Sequence, residues 1–302
     1  MHHEGARRQG EEDHPRERAT SSVELRHLRS FVAVAEERSF TRAAVRLSLT
    51  QPALSRTIAQ FEQLLGVTLL HRTRQIVELT SAGQQFLPAA KRALAVVEDA
   101  LRSATEDIPP LRVGFTYGAA LPYIAPIVKA FERAQPGASV ELHRIDDPLA
   151  GLGDGRSDIA FLPMAPDDAT IETTILANEP RVAAVPADHP LARRRSLRLR
   201  NLRSEKLVIN VVSGTTSIDL WPPDERPRLI VEVRNVEEWL EAIAAGRGIG
   251  MTPATTSRVY THPQICYLPI VDAPPVQIVM AWPARAPHPL KDSFVAAAAS
   301  QS

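Results

Sequence analysis

A chain of 302 residues, 44% hydrophobic and 23% charged, is long enough for two or three soluble domains, each with its own core. Its 35 basic and 35 acidic residues cancel, so bulk charge gives no pull toward nucleic acid, and such affinity has to come from local placement. The single cysteine, Cys266, excludes an intrachain disulfide and a cysteine-based metal site, and no apolar run approaches membrane-spanning length.

The first residues, MHHEGARRQGEEDHPRER, are charged and unlike a secretory signal, so a cytoplasmic protein without a membrane partner is expected. Residues 1–22 lack apolar periodicity and read as a disordered leader; His2, His3 and His14 within it read as part of a floppy polar segment rather than as a metal site. Leu25, Leu28, Phe31, Val32 and Ala35 then mark an amphipathic helix. From Ser39 to Gly66, SFTRAAVRLSLTQPALSRTIAQFEQLLG spells two short helices joined by a tight turn. Thr41 is expected to cap the first, with Ala43, Ala44 and Leu47 on its inner side and Ser48 and Leu49 in the turn. Thr50 caps the second, with Gln51 and Pro52 in its first turn, where a missing N–H costs nothing. Leu54, Ile58, Phe61 and Leu65 form one buried stripe, leaving Gln51, Ser55, Arg56 and Gln60 outside. That is the layout of a helix-turn-helix whose second helix lies in a DNA major groove.

Beyond Gly66, VTLLHRTRQIVELTSAG reads as two extended runs around a polar tip near Arg74 to Ile76, the wing of a winged helix. Arginines outnumber glutamates in this region, which could supply phosphate contacts, although that excess alone suits an ordinary solvated helical surface. From Ser81 to Glu106 an alanine-rich helix carries Phe86, Ala90, Leu94, Val97 and Leu101 on one stripe, which wants a partner, and Pro88 is expected to kink it early. Asp107 to Pro110 acts as a hinge.

The rhythm then changes. LRVGFTY, SVELHRI and SDIAFLP are strands separated by the helix LPYIAPIVKAFERAQPG and the turn PLAGLGDGR, an alternation that argues for a parallel sheet. After a loop, EPRVAAV, LVINVV, LIVEV, IGMTP, ICYLPI and VQIVMAW are further strands, with VEEWLEAIAAGRG and PLKDSFVAAAAS as helices.

The pieces ELRHLRSFVAVAEERSFTRAA, LTQPALSRTIAQFEQLLGVTLLHRT and LTSAG closely resemble the N-terminal domain of LysR-type transcriptional regulators. GRSDIAFL, VPADHPLA and AAGRGIGMTP resemble the effector-binding domain of the same family, which has the fold of periplasmic binding proteins. The resemblance implies a fold in two parts. An N-terminal all-α winged helix-turn-helix over 23–82 continues into a linker and dimerisation helix over 83–106, and a C-terminal α/β two-lobed periplasmic-binding-protein-like domain spans 111–302. Lobe I takes about 111–178 and 263–302, lobe II about 179–262, with crossings near EPRVAAV and ICYLPI. Family members commonly begin near Val23, so the leader reads as an optional extension or an over-called start.

Two departures stand out. TTSIDLWPPDERP replaces the full helix the family usually has after Gly214, and Ile76 and Glu78 occupy wing positions where small or basic residues are common.

DNA contact is assigned to Thr41, Thr50, Gln51, Pro52, Ser55, Arg56, Arg72 and Arg74. Gln51 offers the donor and acceptor that adenine recognition needs, Arg56 suits guanine or phosphate, and Pro52 can touch a thymine methyl. Effector binding is assigned to Tyr117, Gly118 and Ala119, to Val212, Ser213 and Thr215, to Met251 and Thr252, and to an apolar wall of Phe161 and Pro163. Free N–H groups at helix starts favour a small organic anion, an inference that Glu237 and Glu238 weaken. No catalytic motif or metal-ligand spacing is visible, so neither an enzyme nor a cofactor is expected; Gly151, Gly153 and Gly155 precede a strand and read as a turn. The partners implied are double-stranded promoter DNA, the effector, further copies in a dimer or tetramer, and RNA polymerase for an activator. The rivals are a constitutive DNA-binding regulator with a degenerate pocket, a solute-binding protein, and an enzyme with a DNA-binding appendage.

Overall fold

A computed structural model describes residues 23–72, 77–104, 109–116, 118 and 120–301 of the chain; the leader, the wing tip with Arg74 and Ile76, Tyr117 and Ala119 lie outside the described residues. The chain divides into two compact units, 1–100 and 101–302. Among the described residues no helix is long and apolar enough to cross a membrane.

The first unit begins with α1 (Leu25–Glu37), which ends where Arg38 turns left-handed at φ 47°. Helix α2 (Phe40–Arg46) is capped by Ser39, whose Oγ accepts from the Arg42 N–H at 3.3 Å. The expected cap, Thr41, is instead an exposed residue of the first turn, because Ser39 already holds the extended backbone a cap requires. Helix α3 (Gln51–Leu65) follows the turn as expected: Thr50 Oγ1 accepts from the Ala53 N–H, and Gly66 closes the helix at φ 67°.

Leu54, Ile58 and Phe61 of α3 are fully buried, with Leu65 packed at the margin. Phe61 sits among three rings: His27 stacked at 5.6 Å, Phe86 at 5.8 Å and Phe31 at 6.3 Å. Strands β1 (Leu70–Arg72) and β2 (Val77–Leu79) pair antiparallel as a hairpin. The Glu62 carboxylate anchors it, accepting from the Leu69 and Leu70 N–H groups at 2.8 and 3.0 Å.

Helix α4 (Ser81–Ser103) contains Pro88, and the helix continues on both sides of it. Phe86, Ala90 and Leu94 join the core of α1 and α3, whereas Val96 and Leu101 stay 66% and 61% exposed.

In the second unit, β3 (Leu111–Phe115), β4 (Val140–Arg144), β5 (Ile159–Leu162), β6 (Ile171–Glu179) and β12 (Val276–Pro283) build a five-stranded sheet in the order β4-β3-β5-β12-β6. The sheet is mixed rather than parallel, since β12 runs antiparallel to both β5 and β6. The loop expected at Ile171–Glu179 is the edge strand β6, whose polar run IETTILANE hid it. Helices α5 (Leu121–Ala134) and α7 (Lys291–Ala299) cover one face around Phe131, Phe161 and Phe294. On the other face the segment 150–157 lies so close that a Cβ on Gly114 would meet the Ala150 carbonyl at 2.0 Å. Gly151 and Gly155 turn that segment at φ 90° and 76°, as the turn reading of GLGDG requires.

A three-stranded antiparallel sheet, β10-β7-β11, is formed by β7 (Arg181–Pro186), β10 (Gly250–Pro253) and β11 (Ile265–Pro269), beside the parallel pair β8 (Leu207–Asn210) and β9 (Ile230–Val233). Helix α6 (Val236–Ala244) packs Trp239 beneath it so tightly that a Cβ on Gly250 would meet the indole at 2.1 Å. Because ICYLPI pairs along its length with β7, the chain returns to the larger sheet at 270–275, and residues 263–269 belong with the smaller one. The segment after Gly214 holds one 3-10 turn, Ile218–Leu220, in place of a full helix.

Candidate nucleic-acid interface and ligand cleft

Helix α3 presents Gln51, Pro52, Arg56 and Gln60 to solvent, with Ser55 half-buried between them. The buried stripe on the opposite side fixes this orientation, since rotating the helix would expose Leu54, Ile58 and Phe61. Arg56 Nε donates to the Pro52 carbonyl at 3.4 Å, which lays the guanidinium along the first turn and leaves both terminal nitrogens unspent among the described residues. Thr50 spends its oxygen as the cap, and the residue is exposed.

The surrounding arginines are less available than their number implies. Arg46 pairs with Glu36 at 2.6 Å, Arg42 with Glu37 at 3.2 Å, and Arg26 with Glu24 at 2.6 Å. Glu36 also holds Lys91 of α4 at 2.6 Å. Burial alone would raise the Glu36 carboxyl, but hydrogen bonds from Lys91 and Arg46 hold it below the usual carboxylate range. These pairs brace helices, leaving Arg56 as the cation of the α3 face. Arg72 ends β1, and Glu78 lies exposed on β2.

Within the second unit, a cleft of about 50 Å³ opens between the ends of the two sheets. Gly118, Pro163, Ser213, Thr215, Met251 and Thr252 line it, six of the ten positions expected. Phe161 does not: it is fully buried against Phe294 under the large sheet. Val212 is also absent from the lining, because its N–H turns back to Asn210 Oδ1 at 3.0 Å. Sequence reasoning missed Thr116, Asn210, Val236, Trp239 and Thr256. The asparagine before a Ser-Gly pair was a readable turn signal; Trp239 was not, since its helical spacing announces only a core residue.

The loop after β8 uses its donors differently from a helix start. Asn210 Oδ1 accepts from Val212 and Ser213 N–H, and the Asn210 carbonyl accepts from Gly214 N–H at 3.0 Å. Thr215 and Thr216 keep the N–H groups without a partner among the described residues. The Thr216 hydroxyl donates to the Met251 carbonyl at 2.9 Å, and Thr252 and Thr256 share one hydrogen bond at 2.7 Å, leaving one hydroxyl hydrogen over.

Behind this loop Arg181 is 6% exposed. Its Nε donates to the Pro274 carbonyl at 2.9 Å and NH1 to the Thr215 carbonyl at 2.7 Å, and no carboxylate pairs with it among the described residues. Burial pushes the guanidinium below its ordinary pKa. A buried cation satisfied only by carbonyls therefore sits one hydrogen bond from the cleft wall.

Residues 25–84 match the bacterial regulatory helix-turn-helix protein, lysR family, and residues 104–301 match the LysR substrate binding domain. The chain is 34% identical to the HTH-type transcriptional regulator BenM of Acinetobacter baylyi over 264 residues, 83% of this chain and 86% of BenM. It is 33% identical to the uncharacterized HTH-type transcriptional regulator YnfL of Escherichia coli over 279 residues, 87% of this chain and 93% of YnfL. The fold also matches full-length CbnR complexed with its target DNA, at 27% identity and a TM-score of 0.62, covering 93% of this chain and 100% of CbnR.

Proposed function

This chain belongs to the LysR family of bacterial transcriptional regulators, and we propose that it reads promoter DNA through the first turns of α3 under the control of a small organic anion. Gln51, Pro52 and Arg56 meet base edges; Ser55, Thr50 and Thr41 meet phosphates, with Arg72 and Arg74 of the wing alongside. The observation that carries this reading is the outward row of Gln51, Pro52 and Arg56, with two unspent guanidinium nitrogens, on a helix locked by its buried stripe.

Val96 and Leu101, apolar and exposed on α4, support pairing with a second copy into a dimer, and through further contacts a tetramer. Two α3 helices then meet an interrupted, dyad-symmetric operator. A ligand that binds one lobe arrangement better shifts the spacing of the DNA heads, and in an activator alters polymerase recruitment.

An anionic effector is supported by Arg181, whose uncompensated charge lies behind Thr215, and by the unpaired N–H groups of Thr215 and Thr216. Each gains in the low-dielectric cleft when a carboxylate arrives. Gel-shift titration on DNA just upstream of its own gene tests the DNA half: Arg56→Ala should weaken specific binding by about 1–3 kcal/mol, roughly 5- to 150-fold, at unchanged thermal stability. Equal affinity of the variant contradicts the assignment. Thermal shifts with acetate, benzoate and succinate against their amides test the other half. The carboxylates should stabilise wild type and not Arg181→Met; stabilisation by amides alone refutes it.

A further inference from the structure

At about 50 Å³ the cleft is far below the ~300–1,000 Å³ of ordinary small-molecule pockets. An organic ligand enters only if the two halves of the second unit part. Behind the cleft they are joined covalently, by Pro180 and by 270–275, with Arg181 tying both crossings together. Away from those crossings the closure depends on noncovalent contacts.

One such contact sits on the rim. Arg144 is the last residue of β4 and lies opposite Phe115 on β3, one residue before Thr116 of the cleft lining. Glu237 is in the first turn of α6, between Val236 and Trp239, which line the cleft from the other half. The two side chains meet in a forked pair, NH1 to Oε1 at 3.2 Å and NH2 to Oε2 at 3.3 Å. Asp146, on the same side as Arg144, takes its Nε at 3.3 Å and NH2 at 2.9 Å.

We propose that the Arg144–Glu237 pair is a latch that holds the empty cleft shut and must break to admit the ligand. Asp146 makes the break reversible, because it keeps the guanidinium paired and aimed at the rim while Glu237 moves away. The carboxylate of Glu237 also complements the N-terminus of α6, so the opened helix keeps a favourable partner for its charge. All three side chains are more than a third exposed, and exposed pairs of this kind move an equilibrium roughly two- to fivefold. The latch biases the cleft without locking it.

The biological meaning rests on the cleft being the effector site, but closure is measured without any ligand, so failure here leaves the DNA and anion tests standing. Hydrogen exchange of the full-length protein is followed in 210–216 and 236–241, with 276–283 in the large sheet as the internal control. Arg144→Gln and Glu237→Gln should each speed exchange in the first two segments about two- to fivefold, and leave the control unchanged. The charge swap Arg144→Glu with Glu237→Arg should restore protection, and about 1 M salt should bring wild type to the level of the single variants. Wild-type rates in both single variants overturn the latch, as does a swap that restores nothing. If a variant loses protection in the control as well, salt titration of wild type decides: no acceleration overturns it.

Discussion

Phe61→Ala removes the ring at the centre of the first unit's core. The side chain is fully buried, and burying an aromatic of this size withdraws about 150–200 Å² from water, roughly 4–5 kcal/mol at ~25 cal/mol per Å². Measured truncations of buried Phe cost about 3–5 kcal/mol, cavity included. The upper part of that range applies here, because His27, Phe31 and Phe86 each face the ring within 6.3 Å, and flat rings cannot bend into the gap. Against a domain stability of about 5–15 kcal/mol, that loss is enough to loosen α3. The chain supplies its own two reporters. All three tryptophans, Trp221, Trp239 and Trp282, lie in the second unit, whereas helical circular dichroism reports both units. In urea, the variant's dichroism should show an early transition while its tryptophan fluorescence unfolds at the wild-type midpoint. Coincident shifts of both signals would show that the units do not unfold separately. A dichroism change worth less than about 1 kcal/mol would refute the core assignment itself.

Glu36→Gln removes the acceptor that ties α1 to Arg46 and Lys91, and should cost the first unit about 0.5–1 kcal/mol at neutral pH. Because the folded Glu36 carboxyl lies below its ordinary value of 4.5, its contribution is complete above that pH and is lost as pH falls through the lowered value. Melting curves of wild type and variant should therefore converge below pH 4.5 and stay apart above it; a gap that persists in acid contradicts the assignment. Gly83→Ala places a Cβ 2.1 Å from the Leu69 carbonyl, a backbone atom that cannot yield, so it should destabilise the first unit by about 2 kcal/mol or more. A melt within 1 °C of wild type would show that α4 and the hairpin shift freely past one another.

The helix-turn-helix was legible because its determinants are local. Thr50, Pro52 and the stripe from Leu54 to Leu65 sit within one short segment, and a cap and a helical period need no distant partner to be recognised. Local rules also erred locally: Thr41 and Ser39 are both good caps, and only the backbone at Ser39 decided between them. The two-part architecture followed from the change of rhythm at Leu111, and the family match from motifs that carry turns and close packing, such as Gly83 and Gly250.

Tertiary structure alone decided the rest of the cleft. Strand β5 is buried on both faces, so no alternation distinguishes Phe161, which faces the core, from a residue at the cleft. The N–H groups expected to await an anion at Val212 to Gly214 are taken by Asn210, a choice set by loop geometry and invisible in a list of residues. The charges that matter most, Arg181 beside Thr215 and Arg144 beside Glu237, are joined across 34 and 93 residues of chain. Sequence fixes which segments fold as helices and strands, because hydrogen bonding and apolar periodicity act over a few residues. Which side chains meet at a cleft depends on how two sheets close on each other, and that is settled only when distant surfaces leave water together.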